Sequence, residues 1–196
     1  RLTAGPYFTL DSLRRSDVRE DRAGVPLRLT CTVLDDYSCT PLEGVAVDIW
    51  HSDADGLYSG VVNEFFDHNT LQLSGQKVDT RERPSFLRGH QLSDSQGQVE
   101  FTTIYPGWYS GRLSHIHVRA LTSGVQQLNA FMTQLFLPPE MDRFVYAEEP
   151  YRDKGFNPMT LQRDLVLRGD GEARSKLTIQ VDRTTNGLHG QVILAI

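Results

Sequence analysis

What this sequence has little of narrows it first. Two cysteines in 196 residues cannot staple a disulfide-dense scaffold, and no Cys pair or HExxH run supplies the usual zinc signatures. No apolar stretch approaches the ~20 residues that span a bilayer; the longest, "QVILAI" at the C-terminus, has the length of a strand. Lys and Arg are scattered, no basic run occurs and the net charge is -5. That excludes nucleic acid and anionic membrane surfaces as partners. Helical periodicity is scarce too, with "PEMDRFVYAE" the one candidate for a short helix.

What is present is alternation. "PLRLTCTVLD" sets Leu27, Leu29, Cys31 and Val33 against Arg28, Thr30 and Thr32, the period of a half-buried strand. "VAVDIWHSD", "QVEFTTIYPG", "SHIHVRAL", "AFMTQLFLP" and "GQVILAI" read as further strands, and "DLVLRGDGEARSKLTIQVD" as strand, Gly-Asp-Gly turn, strand. Turn signals rich in Gly, Pro, Asp and Ser separate them, "SDSQG" most clearly. The expectation is an all-β fold, an antiparallel β-sandwich with long loops and little helix. Residues 1–22, with their mixed charges from Arg14 to Arg22, read as a solvated arm, and 23–196 as a single sandwich domain. Gly60 to Pro84 reads as a long irregular loop of the kind that often carries function. Cys31 and Cys39 flank an expected turn, where a bridge and two free thiols stand equally open.

The chemistry concentrates in "PGWYSGRLSHIHVRA". On a strand, residues two apart share a face, so His115 and His117 project together, opposite Ile116, Val118 and Ala120. Two imidazoles on one face make half a metal site, or one loop cap and one satisfied surface histidine. Pro106, Gly107 and Gly111 bend the chain just upstream and can turn Tyr109 back towards the histidines, with Arg112 between. No adjacent carboxylate completes a two-His, one-carboxylate ferrous triad. Tyrosine is then the unusual donor. A phenol has a pKa of about 10, so a strongly Lewis-acidic ion must drive its proton off at neutral pH, and Fe(III) prefers such anionic oxygen. A second tyrosine, Tyr58, follows the strand ending at Trp50; the residues alone leave it either a fourth ligand or a core or rim tyrosine.

These residues carry a resemblance. "VDIWHSDADGLYSG" followed by "PGWYSGRLSHIHVRA" resembles the intradiol ring-cleavage dioxygenases, with a tryptophan strand, a Gly-x-Tyr turn, Pro-Gly-x-Tyr and Arg-x-x-His-x-His in that order. "GPYF", "LRGHQLSDSQGQVEFTTIYPGWY" and "TQLFLP" extend the likeness from about Gly5 to Pro138. The resemblance implies a β-sandwich holding a mononuclear non-haem Fe(III) on Tyr58, Tyr109, His115 and His117. It implies Arg112 as a nearby cation, Tyr109 as a proton acceptor and Gln134 as a polar neighbour of the substrate. The implied substrates are a small aromatic diol and O₂, and the implied product is a cis,cis-muconate-type diacid.

Tyr7 and Trp108 are further candidates for the pocket wall, each with a packing role as the alternative, and His51 and Asp53 fit a structural turn. His68 and His90 read as surface histidines. No Arg or Lys is obliged to meet a carboxylated ring, so plain or alkyl catechols are the expected class. The Cys31–Cys39 spacing, the "WHSDADGLYSG" wording and the single-domain length resemble the exported branch of the family, which makes the expectation an extracellular protein; homodimer and monomer stay equally open. Two rival readings remain at this level: a non-catalytic β-sandwich binding module for a polysaccharide or protein ligand, and a zinc hydrolase built on His115 and His117.

Overall fold

The computed structural model describes residues 2–10, 12–67, 72–77, 85–122 and 130–196, with the backbone alone for 62–67, 72–77 and 175. In chain order these form β1 (Pro26–Leu34), β2 (Ala46–Trp50), β3 (Val62–Asp67), β4 (Gln72–Lys77), β5 (Arg88–Leu92), β6 (Gln98–Ile104), β7 (His115–Leu121), β8 (Phe131–Phe136), α1 (Pro139–Val145), α2 (Gly171–Leu177), β9 (Gln180–Thr184) and β10 (Gly187–Ala195). One sheet runs β6-β1-β10-β9 and the other β5-β2-β7-β8, while β3 and β4 pair as a hairpin. Pairing is antiparallel throughout except between β1 and β10, which run parallel.

The alternation of β1 does what the period of two requires. Leu27, Leu29, Cys31 and Val33 are buried, and they share one core with Val99 and Phe101 of β6 and with Val47, Ile49, Ile116 and Val118 of the opposite sheet. Burying each such side chain stabilises by roughly 1.5–3 kcal/mol, so this inter-sheet layer is the main source of stability.

Several expectations need correction. The N-terminal arm is not simply solvated. His90 N donates to Leu13 O (2.9 Å) and Arg15 N to His90 O (3.0 Å), along the edge of β5. Val18 N then donates to Thr102 O (3.0 Å) and Thr102 N to Ser16 O (2.9 Å), along the edge of β6. The arm thus crosses from one sheet to the other on the side where both have an edge, and Val18, lone among charges, is fully buried between them. The stretch from Asp164 is not strand-turn-strand. It is a run of turns and then α2, capped by the Asp170 side chain accepting from Ala173 N, before β9. The Gly60–Pro84 stretch contains the β3–β4 hairpin; 68–71 and 78–84, and with them His68, lie outside the described residues. Cys31 and Cys39 are free thiols, the first buried and the second exposed. No described helix is long and apolar enough to cross a membrane.

Candidate metal centre

β7 lies between β2 and β8 and is buried on both faces. Ile116, Val118 and Ala120 enter the inter-sheet core. His115 and His117 occupy the opposite face, with cross-strand neighbours that complete a row: Arg88 pairs with Trp50, Trp50 with His117, and His117 with Gln134. The indole of Trp50 stacks on the His117 ring, centroids 5.0 Å apart and planes nearly parallel. The two histidine Nε2 atoms come within 3.1 Å of each other.

The tyrosines reach this face on two interlocked turns. Gly107 N donates to Asp53 O (3.0 Å), and Ser52 Oγ donates to Gly107 O (2.7 Å). The fit depends on glycine: a Cβ on Gly107 would stand 2.2 Å from Ala54 O, and one on Gly56 (φ +82) 2.3 Å from Trp108 O. Asp53 ties the first turn by accepting from Asp55 N (3.0 Å) and Leu57 N (2.9 Å). His51 serves the same scaffold, bonded to Ser52 O (2.8 Å) and Thr103 Oγ1 (2.7 Å). Locking the turns sets Tyr58 and Tyr109 edge to face, centroids 5.6 Å apart. Tyr109 Oη lies 3.2 Å from His115 Nε2.

The N-terminal segment roofs the cluster. Gly5 passes so close to His117 that a Cβ would meet its Cε1 at 3.2 Å. Tyr7 stacks on Tyr58 (4.5 Å) and meets Tyr109 edge-on (5.8 Å), and Phe8 packs on Trp50 (5.1 Å). Gln134 Nε2 donates to Thr3 O (3.0 Å), tying the roof to β8. Trp108 stands apart. It packs against the inter-sheet core and donates Nε1 to Gly155 O (2.8 Å), with the Lys154 ammonium over its ring.

His115 Nδ1 donates to Leu113 O (2.6 Å), which fixes its tautomer and leaves the Nε2 lone pair facing the cluster. His117 Nδ1 is buried without a partner among the described residues, so stacking on Trp50 orients that ring. Burial first, and the Arg112 charge second, hold both imidazoles well below the usual histidine pKa, hence neutral. Burial likewise pushes the Tyr109 phenol up and the Tyr58 phenol well up. Arg112 is gripped by a residue that sequence reasoning missed: its Nε donates to Asp164 Oδ2 (3.1 Å), while Nη1 faces His115 Nε2 (3.3 Å) and Nη2 donates to Gln134 Oε1. Asp164 is fully buried and also accepts from Leu113 N (2.8 Å), so it positions the whole approach to β7. Its only signal in the sequence is an Asp at the head of the short apolar run Leu165–Leu167.

The donor set fits a hard, highly charged cation. Two buried, neutral imidazoles and two buried phenols form one cluster of rings in mutual contact. A trivalent ion held there would offset the burial cost that keeps the phenols protonated. No cluster of three or more His, Cys, Asp or Glu occurs among the described residues. The structure therefore brings together Tyr58, Tyr109, Arg112, His115, His117, Gln134 and Tyr7, and leaves Trp108 outside.

Comparison with known proteins agrees. A family model described as Dioxygenase matches residues 4–149. A chlorocatechol 1,2-dioxygenase from Rhodococcus opacus is 31% identical over 169 residues, 76% of this chain and 54% of that protein. The chain spans about half the length of the curated relatives it matches. An intradiol ring-cleavage dioxygenase structure from Tetranychus urticae superposes with a TM-score of 0.82 at 30% identity, covering 100% of this chain and 92% of that one. The dioxygenase domain of a carbohydrate-binding fusion protein from Streptomyces sp. SirexAA-E gives a TM-score of 0.62 at 27% identity, covering 99% and 94%. With the fold, the paired tyrosines and the paired histidines all in place, the chain belongs to the intradiol ring-cleavage dioxygenase family.

Proposed function

We propose that this protein cleaves the ring of catechol-type aromatic diols between their hydroxylated carbons, inserting both atoms of O₂ to give a cis,cis-muconate-type diacid. The reaction balances with no external reductant: one ring C–C bond breaks and the two carbons become carboxyl groups. The observation that carries the reading is the convergence of His115 Nε2, His117 Nε2 and Tyr109 Oη within 3.1–3.2 Å contacts, with Tyr58 packed edge-on. Tyr58, Tyr109, His115 and His117 would hold a mononuclear ferric ion, whose Lewis acidity would deprotonate the diol and draw electron density from its ring towards attack by O₂.

The chain's own groups account for the rest. The Leu113 carbonyl presents His115 as an acceptor nitrogen. Tyr109 Oη, beside His115 Nε2, would as a phenolate take a proton from the incoming diol. Arg112, anchored by Asp164, presents a fixed positive charge on the side of His115, where negative charge developing on the ring would be stabilised. Gln134 and the roof residues Thr3 to Phe8 bound the space and would limit the access of water. Among the described residues two of the buried arginines near the site already meet a carboxylate, Arg112 that of Asp164 and Arg119 that of Asp48, while the third, Arg88, is clamped to Ser59 beside the Tyr58 ring rather than set free for a substrate. That favours plain or alkyl catechols over ring-carboxylated ones. Oxygen uptake against a panel of substituted catechols, with products identified by mass, tests the proposal. A muconate-type diacid is the expected product; extradiol semialdehydes or no uptake by iron-replete protein would contradict it.

A further inference from the structure

Three buried arginines stand on the site face of the β5-β2-β7-β8 sheet or at its entry, and they are held differently. Arg112 meets Asp164 at 3.1 Å. Arg119 meets Asp48 through Nε (2.8 Å) and Nη2 (2.5 Å). Arg88 meets no carboxylate among the described residues. Its guanidinium donates to neutral acceptors on the residue after Tyr58: Nε to Ser59 Oγ (2.9 Å) and Nη2 to Ser59 O (2.8 Å). Its carbon lies 5.9 Å from the centroid of the Tyr58 ring. A buried cation held, among the described residues, by neutral dipoles alone keeps most of its desolvation cost, and nothing about bracing Ser59 calls for a full charge. A ring that carries negative charge supplies the missing partner, since a cation beside an electron-rich ring is attracted most strongly away from water.

We propose that Arg88 is a positioning residue for the metal centre: its charge, clamped to Ser59 beside the Tyr58 ring, lowers the electron-donating strength of the Tyr58 oxygen toward bound ferric iron. The inference rests on the iron reading above and goes beyond it. Arg88 and Arg112 then divide the work, one acting on a protein ligand and the other on the substrate. Because the Arg88 contact is to the Tyr58 ring and not to Tyr109, its effect is confined to one of the two tyrosines.

The test uses iron-replete protein and reads the tyrosinate-to-iron absorption band. Arg88→Met removes the charge, raises the energy of the Tyr58 donor electrons and moves the band to longer wavelength. Arg88→Gln, which keeps a donor for the Ser59 carbonyl, gives the same shift if the methionine variant folds poorly. Arg88→Lys restores the position at least in part. In a Tyr58→Phe background, where the remaining band belongs to Tyr109, Arg88→Met leaves it in place. A band unmoved by loss of the charge, a lysine variant displaced as far as methionine, or an equal shift in the Tyr58→Phe background overturns the proposal while leaving the iron reading intact. A wild-type protein that takes up ferric iron without any such band defeats the iron reading and this inference with it.

Discussion

β1 and β7 sit in opposite sheets and follow opposite rules. β1 alternates, with Leu27, Leu29, Cys31 and Val33 in the core and the residues between them more exposed. β7 is buried on both sides, and its second face carries His115, His117 and Arg119, polar groups that cost free energy to bury. That cost is tolerated because the arm roofs them, Leu113 O satisfies His115, Asp48 satisfies Arg119, Asp164 holds the neighbouring Arg112, and the face can be given a chemical task. One strand shows what holds this sandwich together; the other shows what it is built to hold.

Swapping the injuries should separate the two strands. His117→Ala is expected to abolish both iron binding and turnover while leaving a folded sandwich, read by metal content and circular dichroism. Leu29→Ala should do the reverse, costing about 2–5 kcal/mol of stability in denaturant unfolding while the metal-bound spectrum stays unchanged. Arg112→Ala sharpens the contrast within the site: iron is retained, and kcat falls by roughly 10²–10³, measured as oxygen uptake at saturating catechol.

Acid tests the buried face in another way. Burial holds His51 at about 4, below the ordinary histidine value of 6.5, so the folded protein keeps it neutral while the unfolded chain protonates. The stability it contributes is complete above pH 6.5 and declines as pH falls from 6.5 to about 4, at about 1.4 kcal/mol per unit. Asp142, pushed up to about 6 by burial, acts in the opposite sense, adding stability as pH falls through that value. Metal-free His51→Gln should therefore lose less stability on acidification than the parent, read from thermal midpoints across that range; an unchanged slope would remove His51 from the explanation. The smallest effects belong to the roof. Tyr7→Ala should raise KM by roughly 3–10-fold through the lost stack, whereas Trp108→Phe should leave KM unchanged and cost about 1 kcal/mol of stability with its hydrogen bond.

The strands that alternate were legible without coordinates, and so were His115 and His117, because a period of two is a local property of the chain. α2 was hidden by reading "DLVLRGDGEARSKL" for apolar alternation; its signals were the Asp170 cap and the Glu172–Lys176 pair four residues apart. β5 has little alternation of its own and exists as a neighbour of β2 and the arm. Asp164 and Arg88 were illegible for a related reason. Each gains its meaning from a partner far along the chain, 52 residues away for Arg112 and 29 for Ser59. Trp108, adjacent to Tyr109, was drawn to the site by proximity in sequence, yet its half-buried ring packs against the outside of the inter-sheet core.

Resonance Raman spectroscopy of the iron-replete protein, excited in its visible band, examines the paired-tyrosine centre most directly. Enhanced tyrosinate ring vibrations that fall to a single tyrosinate's signal in Tyr58→Phe are the expected result. Absence of tyrosinate enhancement, or a Tyr58→Phe spectrum identical to the parent, would contradict it.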